Sequence, residues 1–195
     1  MKNENINEQD KIKSREFKLI GGLESMKINL PPKEMLVDEI IGKHKIIIVS
    51  ADTNVGKSIW SHQLGLSVAV GKTEIFGYPI SGAKRVLFLN FEMDEYELIE
   101  RQQLLINALP KQYHKLLDNF QINTFAGNRT LFQDNWDAIE QTIRNNDAFD
   151  LIIVDNMYAC TGIDDEKNAD LKPMLAKIIN ISDIHASSLL IVTHH

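Results

Sequence analysis

Eight consecutive residues carry the first recognisable chemistry: Ala51, Asp52, Thr53, Asn54, Val55, Gly56, Lys57 and Ser58. They follow the Walker A pattern, G-x-x-x-x-G-K-[ST], with alanine in place of the first glycine. In such a loop the backbone N–H groups converge on an anion, and the N-terminus of the following helix adds partial positive charge. Lys57 is expected to reach the β- and γ-phosphates of a nucleoside triphosphate, and the Ser58 hydroxyl to hold Mg²⁺. Ala51 adds only a methyl group, which any backbone outside the left-handed region tolerates. The competing explanation is a chance match in an ordinary strand-to-helix turn. The aliphatic run 45–50 before the loop and the amphipathic segment from Ile59 argue against it.

Two carboxylates extend the set. Asp155 ends the aliphatic run LIIVD, a Walker B pattern that would place one carboxylate beside the phosphate loop to hold Mg²⁺ together with Ser58. Taken alone, such an aspartate could equally cap the turn that follows. Glu92 follows the run RVLFLNF. A carboxylate at the carboxyl end of a parallel strand faces the ligand crevice and could activate water. It could also simply start the next helix, as Glu95, Glu97 and Glu100 are expected to do. The residues alone leave both readings of Glu92 open. His194 and His195 end a further aliphatic run, where a polar side chain could contact the γ-phosphate; exposed chain-end histidines are the bland alternative.

These residues need a frame. Aliphatic runs at 45–50, 85–91, 119–125, 151–155 and 189–193 predict five strands, 85–91 among them buried. Between them, 57–70, 94–109, 134–146 and 166–182 predict helices, with Asp134 as an N-cap, Gly71 as a helix stop and Pro173 as an awkward position. Strands alternating with helices predict an α/β fold: a mostly parallel sheet with helices on both faces. Residues 33–42 read as a short helical entry, and 73–84, with Gly77, Pro79 and Gly82, as a loop. Residues 1–18 are polar and read as a flexible arm; 19–195 read as one domain.

Composition bounds the rest. The 195 residues are 44% hydrophobic and 25% charged, which is ordinary for a globular domain. The formal net charge of −6 gives no basic surface from which to infer nucleic-acid affinity. Cys160 is the only cysteine, so no intrachain disulfide forms, and it reads as a buried apolar residue. No stretch looks like a signal peptide or a membrane span, and the expected location is the cytoplasm. His44, His62, His114 and His185 lack ligand spacing, and Asp164, Asp165 and Glu166 read as a helix start rather than a metal cluster. Trp60 and Trp136 read as packing residues, and Lys72, Arg129 and Arg144 as surface cations.

Over about residues 35–195 the ordered motifs resemble the RecA-like P-loop ATPases and, within them, the RepA-type hexameric replicative helicases. The resemblance rests on the phosphate loop, the glutamate of NFEMDE, the aspartate of LIIVDN and the strand-end VTHH. It implies ATP and Mg²⁺ as ligands, Glu92 as the catalytic base and His194 as a γ-phosphate sensor, acting with Lys57. Arg101 and the Asn-containing connection after Asp155 are also similar to that group. The resemblance further implies a homo-oligomeric ring with an arginine finger supplied in trans, and single-stranded DNA held by loops beyond His195. The C-terminal part of the domain is therefore expected beyond His195, and these residues are expected to bind ATP but hydrolyse it slowly. A finger is worth about 10³–10⁵-fold in related enzymes.

Three functions fit these expectations to different degrees. One is an ATP-driven motor on single-stranded DNA in replication or mobile-element maintenance. Another is an ATP-dependent switch or scaffold of the same fold, which the acidic charge suits slightly better. A small-molecule kinase is disfavoured, because it needs no water-activating glutamate and no lid-like arginine cluster is present.

Overall fold

The computed structural model describes residues 19–124, 136–157, 159 and 171–193. The chain divides into two compact units, Met1–Pro32 and Lys33–His195. In the first, a single helical turn, α1 (Gly22–Ser25), is the described element. The expected arm 1–18 lies outside the described residues.

The second unit is built on a five-stranded parallel sheet. Its small outlying strands are β1 (Met35–Val37), β2 (Ile41–Gly42), β4 (Glu74–Ile75) and β5 (Tyr78–Pro79). Its sheet strands are β3 (Ile46–Ser50), β6 (Val86–Asn90), β7 (Phe120–Thr124), β8 (Leu151–Asp155) and β9 (Ser188–Thr193), in the order β3-β9-β8-β6-β7. The helices are α2 (Lys57–Val70), α3 (Glu95–Asn107), α4 (Trp136–Asn145) and α5 (Leu171–Ile184). A 3₁₀ segment, Lys111–Asn119, leads into β7. The expected α/β architecture is present, and each of the five expected strands is found within a residue or two of its limits.

Continuous apolar runs become strands here because both sheet faces are covered. Val86 and Phe88 of β6 pack with Leu151 and Ile153 of β8 into a core shared with Leu64 and Val68 of α2 and Leu98 of α3. The alternate residues Leu87, Leu89, Ile152 and Val154 face the other way, onto Trp136, Ile139 and Ile143 of α4 and Ile178 and Ile181 of α5. All residues of β6, β8 and β9 are therefore buried. The edge strand β3 leaves Ile46 and Ile48 partly exposed.

Glycine decides two close approaches. A Cβ on Gly65 would lie 2.8 Å from Ile153 Cδ1 and 2.8 Å from Phe120 Cε2, so α2 sits unusually close to the sheet. Gly71 ends α2 at φ 62°, and a Cβ there would meet the Ala83 backbone N at 2.4 Å.

Two local expectations are corrected. Residues 33–42 form no helix: β1 and β2 pair as an antiparallel hairpin with Val37 opposite Ile41. The i,i+4 spacing of Val37 and Ile41 imitates a helical face, but Glu39 takes φ 58° and the Asp38 carboxylate accepts its N–H, which turns the chain back. Residues 73–84 hold the β4–β5 hairpin, turned at Phe76 (φ 52°) and Gly77 (φ 84°). Phe76 stacks there on Trp60 of α2, with ring centroids 6.1 Å apart. The α5 helix is described from Leu171, so the start expected at 166 lies outside the described residues, as do Asp134, Arg129, Cys160, Asp164, Asp165 and Glu166. No described helix is long and apolar enough to cross a membrane.

Candidate active site

Parallel strands end on the same side of the sheet, so β3, β6 and β8 deliver their following residues to one edge. The loop after β3 reaches α2 through two left-handed positions, Asn54 at φ 62° and Gly56 at φ 90°. Ala51 is not among the positive-φ residues, which is why alanine serves in place of the pattern's first glycine. Gly56 is the N-cap of α2, whose first turn carries no acidic residue to neutralise its exposed N–H groups. Lys57 is buried and folds back over the loop, its Nζ donating to Ala51 O at 2.7 Å and to Asp52 O at 2.5 Å.

Asp155 is brought to Ser58, whose Oγ donates to Asp155 Oδ1 at 3.1 Å. Its other oxygen, Oδ2, is buried and has no hydrogen-bond partner among the described residues. Burial raises the Asp155 pKa to about 6; the Ser58 hydrogen bond lowers it, the Glu92 charge raises it, and Arg101 and Lys57 lower it. A carboxylate this buried, with one oxygen unsatisfied beside a serine hydroxyl, fits a hard divalent cation such as Mg²⁺.

Glu92 stands exposed at the rim, and three contacts shape its position. The Phe91 N–H donates to Asp155 O at 2.8 Å, extending the β6–β8 pairing past the sheet. Asn90, fully buried, donates to Met93 O at 2.6 Å and accepts from Met93 N at 3.2 Å, which folds the chain sharply around Glu92. Asn156 Nδ2 donates to Glu92 Oε2 at 2.7 Å. Glu92 does not start the next helix: the N-cap of α3 is Asp94, whose carboxylate accepts the Glu97 N–H at 2.8 Å. Glu95 and Glu97 occupy the first turn, as expected of acidic residues at a helix start.

A cleft of about 350 Å³ joins these parts, lined by Asn54, Gly56, Lys57, Ser58, Glu92 and Arg101 among others. Arg101, half-buried on α3, has its Nη1 buried and without a hydrogen-bond partner among the described residues. The structure thus brings together Lys57, Ser58, Asp155, Glu92 and Arg101. His194 and His195 lie outside the described residues. Residue-by-residue reading missed the Asn90 clamp and the grip of Asn156 on Glu92. The available signal was a polar residue closing an otherwise apolar strand, as Asn90 does in VLFLN.

The remaining titratable candidates are dispersed. His62 is fully buried between Phe88 and Phe120, at centroid distances of 4.9 and 5.3 Å, and shares a 3.2 Å hydrogen bond with Gln102. Burial lowers its pKa to about 4; the Gln102 bond acts upward and the Arg101 charge downward. Among the described residues, no three His, Cys, Asp or Glu side chains cluster as a metal site.

A family model described as an AAA domain (AAA_25) matches residues 15–195. The chain belongs to this family of RecA-like P-loop ATPases, and its phosphate loop and five-stranded parallel sheet agree with that membership. No match is found among curated proteins. Among solved structures, the flagellar accessory protein FlaH from Methanocaldococcus jannaschii is similar, with a TM-score of 0.46 and 16% identity. The match covers 78% of this chain and 62% of that one, so the chain spans less than two thirds of the length of FlaH.

Proposed function

We propose that the chain binds ATP with Mg²⁺ and hydrolyses it to ADP and phosphate. The observation that carries this reading is the convergence of Lys57, the Ser58–Asp155 pair and Glu92 on one cleft. The loop 51–58 and Lys57 hold the phosphates. Ser58 and Asp155 would hold Mg²⁺, which would supply positive charge to offset that of the phosphates. Glu92 accepts a proton from water as the water oxygen bonds to the γ-phosphorus; the bond to the bridging oxygen breaks and ADP leaves. His194, the next residue in sequence after Thr193 of β9, is assigned the role of γ-phosphate sensor from the motif resemblance.

We further propose that this ATPase drives a RepA-type helicase or translocase on single-stranded DNA, working as a homo-oligomeric ring in the cytoplasm. Support comes from the motif order and from the histidine pair that follows LLIVT in the sequence. Domain limits of 1–18 for an arm and 19–195 for the ATPase unit belong to the same reading. The net charge of −6 favours a second reading, an ATP-dependent switch or scaffold that does not translocate.

Steady-state ATP hydrolysis by the full-length protein, with and without single-stranded DNA, separates the two. Stimulation by DNA supports the motor; hydrolysis indifferent to DNA supports the switch. Lys57→Ala is expected to abolish nucleotide binding or turnover. Glu92→Gln is expected to keep binding and lose roughly 10²–10⁴-fold in turnover. Wild-type turnover in Glu92→Gln would remove it as the base.

A further inference from the structure

Asn156 has a side chain whose two ends do different work. It is 3% exposed, directly after Asp155. Its Oδ1 accepts the backbone N–H of Ala159 at 2.8 Å, and its Nδ2 donates to Glu92 Oε2 at 2.7 Å. These two partners fix the amide orientation. A flipped amide would set N–H against N–H at Ala159 and carbonyl oxygen against carboxylate at Glu92.

Glu92 needs such a partner. Its side chain is exposed, has several rotatable bonds, and makes no other hydrogen bond among the described residues. A general base must be held within reach of its water, and misplacement by about 1 Å can cost about 100-fold in rate.

We propose that Asn156 is a positioning residue for Glu92: its amide occupies Oε2, leaves Oε1 as the oxygen that takes the proton from water, and ties that setting to the turn at Ala159. The proposal rests on the reading of Glu92 as the base. The bland alternative is that Asn156 only caps its own turn through Oδ1.

Two substitutions in the full-length protein separate these roles. Asn156→Asp is isosteric, keeps the acceptor for the Ala159 N–H and replaces the donor to Glu92 with a repelling carboxylate, so its loss is read beside that of the uncharged Asn156→Ala. Asn156→Ala removes both. Single-turnover ATP hydrolysis and ATP affinity are measured for each, alone and combined with Glu92→Gln. The expected result is a loss of about 10–100-fold in turnover for both single variants, with ATP affinity within about threefold of wild type. In the Glu92→Gln background, Asn156→Ala should lower the residual rate by less than about threefold, because its route of action is already gone.

Wild-type turnover in Asn156→Asp would reduce Asn156 to a turn cap and overturn the proposal. So would an equal loss from Asn156→Ala with and without Glu92→Gln. If Glu92→Gln alone hydrolyses ATP normally, the base assignment fails first, and that result is read without any Asn156 variant.

Discussion

Asp155 and His62 are buried to nearly the same extent, 1% and 0% exposed, yet the fold treats them oppositely. His62 lies in the α2–α3–sheet interface, between two phenyl rings, with its pKa lowered to about 4. It is neutral at any pH near 7 and acts as a packing aromatic with one polar tether. Asp155 lies where β8 leaves the sheet, with its pKa raised only to about 6. At pH 7 it stays mostly ionised, a buried charge with one oxygen unmatched among the described residues. One region has removed its charge; the other keeps a charge that costs folding free energy and that a bound cation would satisfy.

The sharpest way to break this contrast is Asp155→Asn. Turnover should fall by about 10³-fold or more, because the cation loses its carboxylate. The nucleotide-free protein should become more stable above pH 6, by about 1–3 kcal/mol, because the buried carboxylate charge is removed. Calorimetric unfolding beside single-turnover kinetics checks both, and a less stable variant would show that the ionised carboxylate is already satisfied.

The next test uses acid. Asp155, with its raised pKa, gives the fold stability that is fully present below about pH 4 and is lost as the pH rises through 6. His62, with its lowered pKa, gives stability that is present above 6.5 and is lost as the pH falls towards 4. Each effect is worth on the order of 3 kcal/mol, and in the nucleotide-free protein they oppose one another across the same window. Wild-type stability should therefore change little between pH 6.5 and 4. Asp155→Asn should make it fall with acid, and His62→Phe should make it rise. Parallel profiles for all three proteins would mean that neither group is perturbed.

The smallest effect probes shape. Gly65→Ala brings a methyl group within 2.8 Å of Ile153 and Phe120, next to the His62 stack. Overpacking costs about 1–3 kcal/mol, and alanine returns about 1 kcal/mol of helix propensity. A net loss of about 1 kcal/mol in chemical denaturation is expected, with turnover unchanged within about twofold.

Much of this was legible in the sequence because each signal was local. Uninterrupted aliphatic runs between helical periods imply a sheet covered on both faces, and the Gly-Lys-Ser spacing fixes where a helix starts on an anion. The hairpin at 35–42 was misread because Val37 and Ile41 satisfy two periodicities at once, and only the positive φ of Glu39 decides between them. The hold of Asn156 on Glu92 was illegible for another reason. The two residues are 64 positions apart and meet only because β6 and β8 are neighbours in the sheet.

The stack of Trp60 on Phe76 also makes the protein optically self-reporting. Trp60 is half-buried two residues beyond Ser58, while Trp136 is 4% exposed against the opposite face of the sheet. Occupation of the phosphate loop should change the emission of the first indole against a steady background from the second. Nucleotide affinity can then be followed by intrinsic fluorescence, with no dye attached.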